Sequence, residues 1–248
     1  MKRANTRTMI AVLGLLGLLL ATGFSTAADS PEQLIRAKLQ QARPDLKVEK
    51  VQASVADGLY EVQLQAGPML YVTEDGDFFV LGDMYGVSVT GITNLSEQQR
   101  DIKRRELLAD VEREDMIIFA AEGERRASVT VFTDVDCFYC QKLHKEVPMM
   151  NKAGIEVRYL AYPRAGVGSD SYRKLASAWC DKDPQQAITT LKIPRSIPDN
   201  VCAGNPVADQ FMLGQQAGVN GTPALVLESG KMVPGYVSAA ELQDRLGL

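Results

Sequence analysis

Two cysteines three positions apart, Cys137 and Cys140, are the residues of this chain best suited to chemistry. The β-branched run 128–132 before them predicts a strand, and the sequence after Cys137 predicts a helix. A thiol at a helix start faces unsatisfied N–H groups and the positive end of the helix, which can lower its pKa from ~8.5 to about 3.5–7.5. We therefore expect Cys137 to be the nucleophile of thiol–disulfide exchange and Cys140 its resolving partner.

Other chemistries agree less well with the residues around this pair. A c-type haem site requires His directly after the second Cys, where this chain has Gln141, and a zinc site requires a second close pair of ligands. His144 is the only histidine, and we predict a partly exposed helix residue there rather than a ligand. We expect no metal and no cofactor. A purely structural 137–140 disulfide stays open on these observations.

The N-terminus has the pattern of a secretory signal peptide. Three basic residues within the first seven positions precede an apolar run over 9–20 and small residues over 25–28. This apolar run is shorter than the roughly 17–25 residues that a membrane span requires. We expect cleavage after Ala27 or Ala28, so that residues 1–28 are removed on export.

Export determines how charge and cysteines are interpreted. Without the three basic residues of the leader, the mature chain has 24 basic and 31 acidic residues, a net charge of about −7, which argues against nucleic acid as a partner.

In an oxidising compartment four cysteines allow three pairings. Cys180 and Cys202 enclose 21 residues, whereas the 137–140 pair is too close to staple the fold. The spacing predicts pairs 137–140 and 180–202.

Residues 29–92 are predicted to form a small α+β domain with mostly antiparallel strands. A Ser-Pro-Glu-Gln run from Ser30 predicts a capped helix that stops by Arg43. Period-two segments follow, with hairpin turns expected at Asp-Gly pairs ending in Gly58 and Gly76. A unit of about 60 residues is marginal alone, so we expect it to dimerise.

A charged linker helix is predicted over 93–115, because 12 of the 19 residues over 97–115 are charged. We expect Ser96 to cap this helix and most of its surface to be exposed. Residues 116–248 then alternate between strands and helices, which predicts an α/β domain. Its predicted elements are strands at 117–119, 128–132 and 155–160, a helix after Cys137, helical sequence over 170–218, a strand at 224–227 and a final helix from Ser238.

Short motifs distributed along the chain strengthen this interpretation. They are Phe-Thr-Asp before the cysteine pair, Lys142-Leu143-His144, the run 157–164, Trp179-Cys180, Gly221-Thr222-Pro223-Ala224 and Val233-Pro234-Gly235-Tyr236. Each is weak alone, but their order and spacing are specific. Together they resemble the bacterial periplasmic disulfide isomerases of the DsbC/DsbG family, over essentially the whole mature chain.

The resemblance implies a thioredoxin-like catalytic domain with a helical insertion, preceded by a dimerisation domain. It implies that Cys137 attacks and Cys140 resolves, that a cis Thr222–Pro223 forms the shelf for the substrate backbone, and that Cys180–Cys202 is structural. On chain-entropy arguments that bridge stabilises by about 3 kcal/mol. The implied partners are a second copy of the chain, misfolded disulfide-containing exported proteins and the membrane reductase DsbD, all in the periplasm.

The chain departs from the thioredoxin and DsbC patterns at a few positions. Phe138 stands where the family usually has Gly between its active cysteines, which affects the substrate-facing tip. Pro148 is expected to end or kink the active-site helix near Lys145. Val131 occupies the position of the buried acid of thioredoxins, so Asp134 is the nearest carboxylate that could tune proton transfer.

The sequence therefore predicts a disulfide isomerase that works through a reduced Cys-x-x-Cys pair and a mixed-disulfide intermediate, with chaperone activity from its cleft. Three alternatives stay open at this point. They are a dithiol oxidase, a DsbG-like thiol reductase, and a holdase chaperone whose cleft binds unfolded chains without essential redox chemistry.

Overall fold

The computed structural model describes residues 30–65, 67–193 and 195–248. The predicted signal peptide, residues 1–28, lies outside the described residues. Within the described ranges, no helix has both the length and the apolar character needed to cross a bilayer.

The first unit consists of one helix packed on a four-stranded antiparallel sheet. Its elements are α1 (Pro31–Ala42), β1 (Val48–Ala53), β2 (Leu59–Leu64), β3 (Leu70–Thr73) and β4 (Phe79–Leu81), with the strands in the order β1-β2-β3-β4. Ser30 and Gln33 form the predicted capping box. Gly58 and Gly76 have positive φ in the turns of the two predicted hairpins, which are confirmed. Ile35 of α1 is fully buried in the core of this unit.

A hairpin that the sequence analysis did not predict leads into the linker helix. It comprises β5 (Tyr85–Ser88) and β6 (Gly91–Asn94), and α2 (Leu95–Ala109) follows it directly. The side chain of Asn94 accepts a hydrogen bond from the backbone N–H of Glu97, so Asn94 caps α2. The predicted cap at Ser96 is wrong, because the Ser96 hydroxyl is buried and bonds the Tyr71 hydroxyl instead.

Helix α2 is docked on the following domain, contrary to the predicted mostly exposed helix. Arg104 is buried and donates hydrogen bonds to the carbonyl oxygens of Ala217 and Gly230, each at 3.1 Å. Leu107 and Leu108 pack against an apolar cluster of that domain. Several charged side chains of α2 also form ion pairs within the protein.

The second unit is a five-stranded sheet covered by helices. Its elements are β7 (Ile117–Phe119), β8 (Ala127–Thr133), α3 (Phe138–Lys152), β9 (Ile155–Ala161), α4 (Asp170–Trp179), α5 (Pro184–Leu191), α6 (Val207–Gln216), β10 (Ala224–Leu227), β11 (Met232–Pro234) and α7 (Ala239–Leu246). The strand order is β11-β10-β8-β9-β7. Strands β8 and β9 are parallel and joined through α3, so the predicted βαβ unit is confirmed. All seven residues of the central strand β8 are buried, which makes it a rigid base for the loop that follows.

Helix α3 continues through Pro148 to Lys152, so of the two outcomes predicted for this proline, an end or a kink near Lys145, the end is wrong. Pro148 removes one backbone hydrogen bond from the helix and costs about 3 kcal/mol. Val147 and Met150 are almost fully buried on either side of it. Burying two such side chains contributes about 1.5–3 kcal/mol each, which is enough to hold the helix together.

Candidate active site

Cys137 lies at the junction between the central strand and helix α3. It is the N-cap residue of α3, with extended backbone angles, and its Sγ accepts a hydrogen bond from the backbone N–H of Cys140 at 3.4 Å. The sulfur therefore sits at the positive end of the helix, which favours the thiolate. The sequence-based placement of the first cysteine at the helix start is confirmed.

The Thr222–Pro223 segment reaches the same point from far along the chain. The peptide bond before Pro223 is cis, as the family resemblance implies. In its protonated form the thiol of Cys137 donates a hydrogen bond to the Thr222 carbonyl oxygen at 3.2 Å. The Thr222 hydroxyl is buried without a hydrogen-bond partner among the described residues in this form, so it is free to donate to the Cys137 sulfur once that is a thiolate. Strand β10 begins at Ala224 and pairs with β8, and this register brings the two segments together.

The two thiols have opposite electrostatic character. The Cys140 side chain, followed by Thr222, the Cys140 backbone N–H and the charge of Arg164, stabilises the thiolate and lowers the pKa of Cys137 to about 5 against the opposing effect of burial. Burial, and then the neighbouring Cys137, raise the pKa of Cys140 far above the ordinary thiol range. At neutral pH, Cys137 is the thiolate and Cys140 keeps its proton.

These pKa values predict how alkylation of the reduced protein depends on pH. The rate constant for carbamidomethylation of Cys137 by iodoacetamide should be nearly flat from about pH 6.5 to 8 and should fall about tenfold per unit below about pH 5, as the thiolate fraction falls. Cys140 in a Cys137→Ser variant should react far more slowly throughout. A midpoint for Cys137 near the ordinary thiol value of ~8.5 would show that the helix terminus does not acidify it.

Asp134 organises the loop beneath the cysteines. Its carboxylate is 2% exposed and accepts hydrogen bonds from the backbone N–H of Asp136 at 2.8 Å, and from the backbone N–H and Nε of Arg164 at 2.8 and 3.3 Å. The Arg164 contact also holds a cation near Cys137. The carboxylate predicted to tune proton transfer therefore also fixes the geometry of this loop.

The surface around the motif is apolar and open. Phe138 and Tyr139 are 70% and 56% exposed and stack edge to face, with ring centroids 5.4 Å apart. Pro223 lines a cleft of about 950 Å³ whose opposite wall includes Met69 of the first unit and Arg100 of α2. Thr222, whose carbonyl oxygen contacts Cys137, also lines this cleft, so the cleft adjoins the Thr222–Pro223 side of the cysteine pair.

The remaining cysteines are joined to each other. Cys180 and Cys202 form a disulfide with a Cα–Cα distance of 5.7 Å, which links the end of α4 to the segment before α6. This pairing of the sequence analysis is confirmed. Cys137 and Cys140 are free thiols, so the predicted 137–140 bond is not formed in this structure, which has the dithiol form of the pair.

Two polar residues near the site, the buried Lys192 and the partly exposed His144, were not assigned to it from the sequence. Lys192, the C-cap of α5, is 2% exposed and donates hydrogen bonds to Thr133 and Asp134 of the catalytic loop. Lys192 follows the buried Ile188 by four residues, and this spacing places both side chains on the same face of α5. That spacing is the feature of the sequence that could have identified a core-facing lysine. His144 bonds the Tyr159 hydroxyl at 2.9 Å, and burial together with Lys192 lowers its pKa to about 4, so it is neutral.

The part of the chain that the structure describes contains no group of three or more His, Cys, Asp or Glu side chains arranged to hold a metal ion. An acidic thiol that is ionised at neutral pH, with a second, protonated thiol beside it, supplies the nucleophile and the resolving group of thiol–disulfide exchange.

Comparison with known proteins agrees with this chemistry. The family model described as "Disulfide bond isomerase protein N-terminal domain" matches residues 25–97, and the one described as "Thioredoxin-like domain" matches residues 113–247. The chain is 36% identical to the thiol:disulfide interchange protein DsbC of Escherichia coli K12, over 91% of this chain and 90% of that protein. It belongs to the DsbC family of thiol:disulfide interchange proteins.

Other similar proteins are also described as disulfide interchange proteins. The DsbC of Salmonella typhimurium is 39% identical over 91% of each chain. A crystal structure of a disulfide interchange protein from Neisseria gonorrhoeae is 32% identical and covers 55% of this chain and 96% of its own, with a TM-score of 0.49. Membership in the DsbC family confirms the resemblance, the thioredoxin-like fold class with its separate N-terminal domain, the disulfide isomerase function and the enzyme class of thiol–disulfide oxidoreductase.

Proposed function

We propose that this DsbC-family protein rearranges incorrect disulfides in exported proteins through a mixed disulfide on Cys137. The observation that carries the proposal is the position of Cys137, an acidic N-cap thiol held against the Thr222 carbonyl with a protonated Cys140 beneath it. The Cys137 thiolate attacks one sulfur of a wrong disulfide, forms a new S–S bond and releases the other substrate sulfur as a thiolate. A different substrate thiolate then displaces Cys137, so the cycle consumes no electrons.

Cys140 releases the substrate from Cys137 when no substrate thiol completes this exchange. Once deprotonated, its sulfur attacks Cys137, forms the 137–140 disulfide and expels the substrate as a thiolate. The substrate leaves reduced by two electrons, and the enzyme is left oxidised. A reducing partner must return those electrons, and we assign this role to the membrane reductase DsbD.

Thr222 and Pro223 are assigned to hold the backbone of the substrate. Their segment lies beside Cys137, lines the cleft and begins strand β10, and the Thr222 hydroxyl has capacity for a further hydrogen bond. Asp134 is assigned a positioning role, since its oxygens are bonded to the loop and to Arg164. Cys180–Cys202 is assigned a structural role away from the exchange.

The N-terminal unit is assigned as the dimerisation surface, joining two copies of this chain. Strand β4 is an edge of its sheet, and all three of its residues are exposed. An edge strand with unpaired backbone groups and apolar side chains is a template for pairing with another strand. The apolar side chains exposed on β4 and just beyond it are Phe78, Phe79, Val80, Leu81, Tyr85, Val87, Val89 and Ile92. A two-fold dimer would cover this surface.

The domain limits 29–92, 93–115 and 116–248 stay predictions, as does removal of residues 1–28 on export to the periplasm. The charge of about −7 on the mature chain favours a protein substrate over nucleic acid.

The redox state of the pair in the exporting compartment separates an isomerase from an oxidase. Acid quenching followed by alkylation should trap Cys137 and Cys140 mostly as thiols, because an isomerase must start each cycle with a free thiolate. A mostly oxidised pair would favour the dithiol oxidase. As a control, deletion of the membrane reductase should shift the pair toward the disulfide if that reductase maintains it.

A further inference from the structure

Lys192 is a cation buried beneath the catalytic cysteines without a charged hydrogen-bond partner. Its Nζ donates to the Thr133 hydroxyl at 2.6 Å and to the Asp134 carbonyl oxygen at 2.9 Å, and its side chain is 2% exposed. Both acceptors are neutral. Removing an ammonium group from water is costly unless a counter-charge is near, so the site must gain something from this lysine.

The nearest carboxylate does not supply that counter-charge directly. The two oxygens of Asp134 are taken by the backbone N–H of Asp136 and by Arg164, and Asp136 itself pairs with Lys174 at the surface. Only the backbone carbonyl of Asp134 bonds Lys192.

The groups that face Lys192 come from every element packed around it. They are Cys140, Cys137, Asp134 and Asp136 of the catalytic loop and α3, which favour its charge, the neutral His144 of α3, and the Tyr159 ring of β9, whose centroid lies 5.8 Å from Nζ. Burial is the largest influence and lowers the pKa of Lys192 to about 8, and Cys140 is the strongest of the opposing charges. At neutral pH the lysine is mostly protonated.

The relation between Lys192 and Cys140 is mutual. Burial raises the pKa of the Cys140 thiol, and Lys192 is the largest influence that lowers it. Cys140 is 1% exposed, so water does little to stabilise its thiolate. A cation in the same buried volume acts at low dielectric, where a charge pair is worth far more than at the surface.

We propose that the ammonium group of Lys192 is the buried counter-ion of the Cys140 thiolate, and that Lys192 is thereby a positioning residue for the resolving step. In this step the Cys140 S–H bond breaks and its proton passes to water. The Cys140 sulfur uses the released electron pair to bond Cys137, and the Cys137–substrate bond breaks with its pair on the substrate sulfur. Lys192 keeps its own proton throughout.

The role follows from the missing acid. Val131 stands where thioredoxins have a buried carboxylate, so no acid at that position accepts the proton of the resolving thiol. A buried cation can also favour deprotonation of Cys140, because it stabilises the resulting thiolate. The inference rests on the proposed function only for its resolving step, which a small disulfide reagent can report without any protein substrate.

The test follows the reaction of the reduced chain with 5,5′-dithiobis(2-nitrobenzoate). Attack by Cys137 releases one thionitrobenzoate, and attack by Cys140 on the resulting mixed disulfide releases a second. Lys192→Gln, which removes the charge and retains a polar N–H donor, should slow the second release by about tenfold or more at neutral pH, equal to one pKa unit for Cys140. The first release should change by less than about twofold, because Cys137 is stabilised mainly by other groups.

The matched control is Lys174→Gln, which removes an exposed cation paired with Asp136 near the same loop. It should leave both releases within about twofold of the unaltered chain, since solvent screens its charge. The pH midpoint of the second release should also rise in Lys192→Gln alone. An unchanged second release and midpoint in folded Lys192→Gln would overturn the proposal.

A measurement that keeps Lys192 covers the case in which Lys192→Gln fails to fold. The pKa of the Lys192 side chain, followed by NMR of its terminal CH₂, should be higher in reduced Cys137→Ser protein, which keeps Cys140 as a group that can ionise, than in the Cys137→Ser/Cys140→Ser protein, so that Cys140 alone accounts for the difference. Equal values in the two proteins would overturn the proposal. If resolution responds as expected but scrambled proteins are not rearranged, the isomerase assignment fails and Lys192 keeps its role.

Discussion

Cys137→Ser is expected to reduce the reactivation of scrambled ribonuclease to the uncatalysed rate, whereas Cys140→Ser retains a measurable part of it. The serine hydroxyl cannot form the mixed disulfide, so every step of the cycle is lost. Cys140 is needed only when the substrate fails to displace Cys137 by itself. Each variant differs from the parent chain by one atom, and comparing their activities distinguishes the role of the nucleophile from that of the resolving thiol.

The assay requires a redox buffer and a check that each variant remains folded. Each substitution replaces a single sulfur by oxygen at the start of α3 and leaves the backbone unchanged, so circular dichroism should be unchanged. The intact Cys180–Cys202 bridge gives a second check on the fold. Equal reactivation by the parent chain and by Cys137→Ser would contradict the isomerase mechanism and favour a holdase chaperone.

Val80→Asp is expected to convert the dimer into monomers. Val80 is the central residue of edge strand β4 and is 64% exposed within one protomer, so the substitution costs the protomer little. In a two-fold interface each dimer would bury two unpaired carboxylates. At a cost of about 2–3 kcal/mol for each, the dissociation constant should rise by about 10³-fold or more.

Sedimentation equilibrium at micromolar concentration measures this change. Val55→Asp is the matched control, because Val55 is 75% exposed and lies outside the strands of the sheet. It should leave the dimer intact. A monomeric parent chain, or a Val80→Asp variant that remains dimeric, would contradict the assignment of β4 as the interface.

Local signals predicted most of the N-terminal unit and the βαβ core. The capping box at Ser30 and the Asp-Gly turns act over a few residues, so the sequence contains them completely. The β5–β6 hairpin was missed because its four-residue strands are mostly exposed and lack a clear alternation. The docking of α2 through Arg104 was missed because its acceptors are more than 100 residues away.

The same distinction applies to the active site. The spacing of Cys137 and Cys140 predicts their unequal roles from the helix start alone, but the Thr222–Pro223 segment was placed beside them only through a family resemblance. Lys192 was missed because a lysine at the end of a helix normally faces water. Its spacing from the buried Ile188 places it on the inner face of α5, but the packing of that face over the catalytic loop depends on residues far away in the sequence.

The most direct test of the account is to capture the mixed disulfide. Reduced Cys140→Ser protein is mixed with scrambled ribonuclease, quenched with acid and alkylating agent, and digested without reduction for mass spectrometry. The mechanism predicts a covalent adduct through Cys137, with Cys180 still bonded to Cys202. Absence of an adduct, or an adduct through Cys180 or Cys202, would contradict the assignment of Cys137 as the nucleophile.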